Sequence, residues 1–275
     1  MEHASDILDL VSSLKARGET FALATVVRTV SATAAKAGAK AVIRPDGTIS
    51  EGWIGGGCAR SAVLKAAKEA LSDGHVRLVS IQPADLLAEQ GVAPGEEKQG
   101  IRFARNTCPS QGTMDIFVEP VLPKPEIVIC GSSPVAVALA TLGRSLGFAM
   151  TVAAPPAEQG AFADADRRIE GYALPVARDG VRYIVVSTQS KGDEAALTAA
   201  LSVDADHVAF VGSRRKAETL KAKLAERGVD PARLDRLKAP AGLDIGAITP
   251  DEIALSILAE IVALRRRGQR GVAAP

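Results

Sequence analysis

An excess of charge of either sign is missing from this chain. Its 275 residues carry 33 basic and 32 acidic side chains, a formal net charge of +1. That balance gives no electrostatic footprint for nucleic acid or for an anionic membrane. Cysteine is scarce. Three residues, an odd number without regular spacing, argue against a disulfide framework and for a reducing compartment. No C-x-x-C pair occurs, and His3, His75 and His207 are scattered, so zinc-type ligand spacing is absent. Each of these histidines reads as an ordinary surface or hydrogen-bonded residue. A Ser-His-Asp order and a nucleophile elbow are lacking as well. No apolar run approaches the roughly 18–20 residues of a membrane span. No basic segment followed by an apolar core opens the sequence, so no signal peptide is expected and the location is expected to be cytoplasmic.

What is present is apolar substance and glycine. Hydrophobic residues make up 47% of the chain, enough for a sizeable core in one large or two ordinary domains. The most informative stretch is Gly52-Trp53-Ile54-Gly55-Gly56-Gly57-Cys58. Three consecutive glycines leave the backbone bare, able to reach φ > 0 and to let a ligand lie against its N–H groups. The run from Ala59 to Leu71 holds strong helix formers at helical spacing. Cys58 is therefore predicted at a helix N-terminus, where N–H donors and the dipole favour a thiolate and an anionic ligand. The plainer alternative is a tight turn with a buried cysteine.

Residues 5–17 read as an amphipathic helix with Ile7, Leu8, Leu10, Val11 and Leu14 on one face. Strands are expected at Phe21–Thr29, Ala39–Arg44, Thr48–Ile54, Val76–Ile81 and Met114–Glu119, a small α+β unit over 1–120. Pro120, Pro123 and Pro125 mark a boundary. A second unit over 125–270 then opens with the strand Ile127–Cys130, a helix from Val135 to Leu146 and a strand at Met150–Ala153. Later strands at Tyr183–Ser187 and His207–Val211 alternate with helices, which predicts a Rossmann-like parallel sheet. The fold class is thus α/β: a small N-terminal α+β domain followed by a Rossmann-like one. The last helix, about 251–267, has Thr249 as N-cap, Pro250 at its first position and Glu252 completing a capping box. Arg265, Arg266, Arg267 and Arg270 read as its charged C-terminal end.

Two further turns are candidate anion sites. Gly131-Ser132-Ser133-Pro134-Val135-Ala136 is a degenerate dinucleotide fingerprint, with Ser133 at the second glycine position and Ala136 at the third. The acid that would hold a ribose hydroxyl is missing from Val152-Ala153-Ala154-Pro155-Pro156. NAD binding there is weakly supported, whereas a phosphate at the helix N-terminus, helped by Ser132 and Ser133, is reasonable. A plain turn without ligand is the alternative. Gly212-Ser213-Arg214-Arg215-Lys216 gathers backbone donors, a hydroxyl and three cations at another helix start. Such cations oppose the helix dipole unless an anion is bound. Cys108, before Pro109-Ser110-Gln111-Gly112, is a second candidate thiol that could meet Cys58 across one cleft. Cys130, inside a strand, reads as inert core.

Taken in order, several segments resemble the XdhC/CoxI family. They include Ala24–Thr29, Ala37–Ile43, Pro45–Ile49, the Gly55–Cys58 loop, Asn106–Pro120, Phe210–Lys216, Pro240–Ala247 and Thr249–Ala254. The family's members are accessory proteins of molybdenum hydroxylases such as xanthine dehydrogenase and carbon monoxide dehydrogenase. The Gly-Ser-Ser-Pro turn looks more like the carbon monoxide dehydrogenase branch (CoxF/CoxI-like). The resemblance implies a maturation chaperone rather than a turnover enzyme. It would bind the molybdenum–molybdopterin cofactor, in its cytosine dinucleotide form, support its sulfuration and pass it to the apo-hydroxylase. Gly55, Gly56, Gly57, Gly131, Ser132, Ser133, Gly212, Ser213, Arg214 and Arg215 are then its cofactor-binding residues. Cys58 is the sulfur carrier or molybdenum ligand, and Cys108 a second thiol. Copper handling, a cysteine desulfurase partner and a homodimer belong to the same expectation. The alternative class is an NAD(P)- or FAD-dependent oxidoreductase using the Rossmann crevice.

Overall fold

The computed structural model describes residues 3–109, 111–176 and 180–266, without side chains for 3–6 and Cys58. Ser110, Arg267 and Arg270 therefore lie outside the described residues. Two compact units divide at Pro123/Lys124.

The first unit runs α1 (His3–Ala16), β1 (Phe21–Val30), β2 (Lys40–Ile43), β3 (Ile49–Gly52), α2 (Gly57–Asp73), β4 (Arg77–Gln82), α3 (Ala84–Glu89), β5 (Glu97–Lys98), β6 (Ile101–Arg105) and β7 (Thr113–Val121). Its strands form one sheet in the order β3-β2-β1-β7-β4-β6-β5. Only β4 and β6 pair in parallel. Alternation sorts the side chains of each strand to opposite faces. Ala22, Ala24 and Val26 of β1, Val79 and Ile81 of β4, and Ile116 and Val118 of β7 are buried against Val63, Ala66, Ala67 and Ala70 of α2. Alanine on that helix face lets it lie close to the sheet. The helix ends at Gly74, whose φ of 74° lets its N–H return to the Ala70 carbonyl. On the second face, Ile7 and Leu14 of α1 pack on Phe21 and Val42, and Leu87 of α3 packs with Val92 and Phe103.

Several sequence expectations are corrected here. Leu8, expected on the buried face of α1, is 53% exposed. The third strand stops at Gly52 instead of Ile54. A Cβ at Gly52 would stand 2.1 Å from the Lys40 carbonyl oxygen, and the residue has φ +87°, so the chain turns away there. The elements α3, β5 and β6 have no counterpart among the expected ones. Their segments are short, polar and interrupted by Gly91, Gly95 and Gly100, with little periodic signal.

The second unit runs β8 (Glu126–Cys130), α4 (Pro134–Ser145), β9 (Ala149–Ala154), a 3-10 segment (Pro156–Phe162), β10 (Arg167–Glu170), β11 (Arg182–Val186), α5 (Asp193–Ser202), β12 (His207–Phe210), α6 (Arg214–Glu226), α7 (Pro231–Asp235), β13 (Leu237–Lys238) and α8 (Pro250–Arg265). All pairings are parallel, in the order β10-β9-β8-β11-β12-β13. Counted within the unit this is 3-2-1-4-5-6, the Rossmann order, with its switch between β8 and β11. Strands buried on both faces need apolar runs. Ile127, Ile129, Val152 and Val185 meet α4 and α8, while Val128, Ile184, Val186 and Phe210 meet α5 and α6. At the other end of the sheet the Arg182 guanidinium (Nε) donates to Glu126 Oε2 at 3.0 Å, and the Thr151 hydroxyl donates to Glu126 Oε1 at 2.6 Å. Thr249 and Glu252 form the expected capping box on α8. The 3-10 segment, β10, α7 and β13 again have no counterpart among the expected elements. No helix among the described residues is long and apolar enough to cross a membrane.

Candidate functional site

The glycine loop joins β3 to α2. Gly55 has φ +105° and Gly57 φ +42°. Gly56 instead is extended, with φ −97°, and serves as the N-cap of α2. The expectation of φ > 0 therefore holds at Gly55 and Gly57 and is corrected at Gly56. No side chain caps α2, and its first turn has no acidic residue. The Ala59 N–H turns back to the Gly56 carbonyl at 3.1 Å, and the positive end of the dipole ahead of it suits an external anion. A Cβ at Gly55 would press on Ala59 and Met114 at 3.3 Å, a packing requirement. A Cβ at Gly57 would meet nothing within 4 Å, so open space lies directly against that backbone. Cys58 is the second residue of α2.

A cavity of about 190 Å³ lies at this loop. Gly56, Gly57 and Ala59 form one side, and Thr33, Asn106, Cys108, Gly112 and Met114 are among its other walls. Cys108 is exposed there. Its loop is held by Asn106, whose side-chain oxygen accepts from the Cys108 N–H at 2.9 Å and whose amide donates to the Gly112 carbonyl at 2.6 Å. Gly112 is irreplaceable in this passage, since a Cβ would stand 2.2 Å from the Ala32 carbonyl oxygen. Two glycines of the loop and one of the two candidate thiols thus share a wall, though they are about fifty residues apart. Cys130 is fully buried in β8 and burial pushes its thiol up to about 12, as suits a small core hydrophobe. Among the described residues, no group of three His, Cys, Asp or Glu is placed to hold a metal ion.

The Rossmann turn after β8 is tightly built. Gly131 has φ +118°, and a Cβ there would lie 2.3 Å from the Ser187 carbonyl oxygen, just past the end of the neighbouring strand β11. Ser133 is buried as the N-cap of α4, accepting from the Ala136 N–H at 3.1 Å and contacting the Ser187 hydroxyl at 2.5 Å. The Ser132 hydroxyl donates to Glu158. Both hydroxyls expected to greet a phosphate are therefore engaged within the protein. No acid stands at the end of β9, as expected, but the same contact brings one to the turn from further along the chain. Glu158 comes from the 3-10 segment, four residues beyond the end of β9, out of register with the usual fingerprint.

The turn Gly212–Lys216 behaves differently from its sequence reading. Gly212 is demanded by the Phe210 ring, which a Cβ would approach to 2.4 Å. Ser213 caps α6 by accepting from the Lys216 N–H at 3.3 Å. The three cations do not converge. Lys216 pairs with buried Asp193 at 2.6 Å. Arg215 lines a groove of about 820 Å³ between α5 and α6. Arg214 lines a separate cavity of about 560 Å³ with Gly212, Lys238, Pro240 and Asp244. Neither arginine has an ion-pair partner among the described residues. Replacing either with Gln is expected to leave stability equal or slightly higher, by about 0.3–1 kcal/mol, because a cation in a helix first turn opposes the dipole. Phosphate binding should fall only for the arginine whose cavity takes the anion. Melting curves and titration with cytidine diphosphate, variant by variant, read both effects.

The Arg214 cavity joins two of the family-like segments, the β12–α6 turn and Pro240–Ala247. Glu260 of α8 anchors the second. It accepts from the Gly242 N–H at 3.0 Å, faces His207 at 3.3 Å and pairs with Lys238 at 3.1 Å. Burial raises its pKa, but His207, the Gly242 N–H and Lys238 together outweigh that and hold it down to about 2. A depressed carboxylate stabilises the fold above its ordinary value of 4.5 and loses that contribution as pH falls through about 2. Acid titration of unfolding should therefore steepen between pH 4.5 and 2, and Glu260→Gln should remove that part of the slope.

Residues 14–82 match the XdhC and CoxI family, and residues 127–261 match the XdhC Rossmann domain. The chain belongs to the XdhC/CoxI family. Among curated relatives, YqeB of Escherichia coli K12 is 28% identical over 279 residues, covering 97% of this chain and 48% of its own length. A Bacillus subtilis 168 protein, named as a probable subunit of xanthine dehydrogenase, is 27% identical over 163 residues, covering 56% of this chain and 47% of its own. The chain thus spans about half the length of the curated relatives it matches. A solved xanthine dehydrogenase of Bacillus halodurans is 20% identical, covers 97% of both chains and has a TM-score of 0.46.

Residues of this XdhC/CoxI chain that the sequence did not reveal include Asn106, Glu158 and Asp193. Asp193 is buried, accepts from the Thr188 hydroxyl and holds Lys216. It follows Gln189, Ser190 and Gly192, all at positive φ, in the loop at the switch point. The Gln-Ser-Lys-Gly run was the available signal for that loop, because it is polar and sits directly after a buried strand.

Proposed function

We propose that this protein is a maturation factor for a molybdenum hydroxylase, binding the molybdenum–molybdopterin cofactor as cargo and handing it to the apo-enzyme. One observation carries the reading. Bare backbone at Gly56 and Gly57, the uncapped start of α2 and the Cys108 loop enclose one cavity, with Cys58 on the adjoining first turn. Anionic oxygen suits the N–H groups there, and a soft metal or a transferable sulfur suits thiolates. Membership of the XdhC/CoxI family supports the same reading, as does the likeness to the Bacillus subtilis protein, whose name ties it to xanthine dehydrogenase. In this reading Gly55, Gly56 and Gly57 cradle the cofactor, and Cys58 carries sulfur or ligates molybdenum, with Cys108 as second thiol. The Gly212–Arg215 turn, and Gly131, Ser132 and Ser133 once Glu158 is displaced, are the phosphate sites proposed in the second unit. The apo-hydroxylase and a cysteine desulfurase are the partners, and the protein works as a homodimer in the cytoplasm. The target is xanthine dehydrogenase or, following the Gly131–Pro134 turn, carbon monoxide dehydrogenase with copper among its cargo.

One observation favours a second reading, a nicotinamide- or flavin-dependent oxidoreductase: Glu158 places a carboxylate at the Rossmann turn, where such cofactors are held through a ribose hydroxyl. The absorption spectrum and metal content of protein purified from cells that make molybdopterin separate the two. Pterin with molybdenum supports the maturation factor. Flavin or nicotinamide without pterin would sink it.

A further inference from the structure

Trp53 is the only tryptophan of the chain, and it is 55% exposed. A large ring left in water is unfavourable unless something covers it part of the time. The ring lines a cavity of about 500 Å³ beside the glycine loop. Other walls are small: Ala34, Ala35, Gly38 and Ala39. Such walls leave room for a flat ring against the indole. Lys36, Lys40 and Glu51 stand at the same cavity, a local excess of one positive charge. Among the described residues, neither lysine has an ion-pair partner. Lys40 donates to the Thr25 hydroxyl at 3.2 Å, which holds its ammonium in place. Ala34 also lines the cavity that contains Gly56, Gly57 and Cys108. A Cβ at Gly56 would sit 3.9 Å from the indole edge.

The position of Trp53 is fixed by the backbone before it. Gly52 turns the chain at φ +87°, and the Trp53 N–H donates to the Lys40 carbonyl at 2.9 Å. The indole therefore projects from a fixed point of the backbone beside the loop, which suits a platform.

We propose that Trp53 is a stacking platform for a planar heteroaromatic ring carrying a phosphate, with Lys36 and Lys40 taking the phosphate. Aromatic faces bind such rings without reading their identity, and Arg- or Lys-type cations supply the anion contact. The proposal deepens the reading of this protein as a carrier of a pterin dinucleotide and rests on it for the choice of ring. Two parts of that cargo share the chemistry, the pterin and the cytosine, and the test distinguishes them.

Because Trp53 is the sole tryptophan, its fluorescence reports this cavity alone. The protein is titrated with dihydroneopterin monophosphate, with cytidine diphosphate and with ribose 5-phosphate, and affinities are checked by equilibrium dialysis. Saturable quenching by the pterin phosphate is expected, with less or none by the nucleotide and none by the sugar phosphate. Trp53→Phe should bind within a few-fold of the parent, whereas Trp53→Ala should weaken binding by about tenfold or more. Lys36→Gln should weaken it further for phosphorylated ligands and leave unphosphorylated pterin unaffected. Quenching by cytidine diphosphate alone would keep the platform and assign it to the base. Equal binding by Trp53→Ala and the parent would overturn the proposal, as would the absence of saturable quenching by both ring ligands. The outcome is separable from that of the function itself. Parent protein that carries pterin from cells while Trp53→Ala carries as much removes only the platform. Parent protein that carries no pterin yet binds these rings at Trp53 removes only the maturation role.

Discussion

Cys58→Ser is expected to fold and melt like the parent and to abolish activation of the hydroxylase that the protein would serve in the proposed role. Serine at the second position of α2 keeps the size of the side chain and is compatible with a helix first turn. It lacks the two properties that the proposed role requires. An alcohol is far less acidic and less nucleophilic than a thiol, and oxygen is a poor ligand for soft metals. Activity of the target enzyme in cells carrying the variant is the readout, with circular dichroism and melting to establish folding. Cys108→Ser, in the exposed loop across the cavity, should give a smaller loss if Cys108 assists and none if it only lines the wall. Full target activity with Cys58→Ser would remove the thiol from the mechanism.

Gly131→Ala should have the largest effect on stability. The added methyl would lie 2.3 Å from the Ser187 carbonyl oxygen and 2.9 Å from the Thr188 Cα, and these are backbone atoms at the centre of a parallel sheet. They cannot swing aside as a side-chain end would. The residue also has φ +118°, which an L side chain rarely adopts. Strain and clash together should cost about 3 kcal/mol or more. Gly147→Ala is the control: its φ is +80° but nothing lies within 4 Å of the added methyl, so only the backbone cost of about 1–2 kcal/mol remains. Urea unfolding followed by far-ultraviolet circular dichroism measures both. If the two variants lost equal stability, the close passage of β8 and β11 would not be what requires this glycine.

The C-terminal unit was largely legible because parallel strands buried on both faces announce themselves as short apolar runs. Ile127–Cys130, Met150–Ala153, Tyr183–Val186 and His207–Phe210 each stand out in the sequence. The capping box at Thr249 was legible because it is a local pattern of residue types. What escaped notice depended on distance. Glu158 reaches Ser132 from a 3-10 segment, and a fingerprint that searches the strand end misses it. Arg214 and Arg215, adjacent in sequence, line different cavities because neighbouring side chains on a helix point about 100° apart. Gly56 read like its neighbours, yet it is the N-cap with extended backbone, and only Gly55 and Gly57 use the freedom of glycine. The nearness of Gly57 and Cys108 arises because β6 and β7, which lead into and out of the Cys108 loop, flank β4 in the sheet that α2 covers. No spacing in the chain announces that.

The most direct test of the central claim is the pterin released by acid from protein purified out of molybdopterin-producing cells, measured per chain for the parent and for Gly57→Ala. A methyl at Gly57 projects into open space, so only the backbone cost of its φ of +42°, about 1–2 kcal/mol, remains, yet it would stand where the proposed cofactor would lie against the backbone. Bound pterin in the parent, and its loss from a Gly57→Ala protein that melts within a few degrees of the parent, is the predicted result. No pterin in the parent, or the same amount in both, would contradict the account.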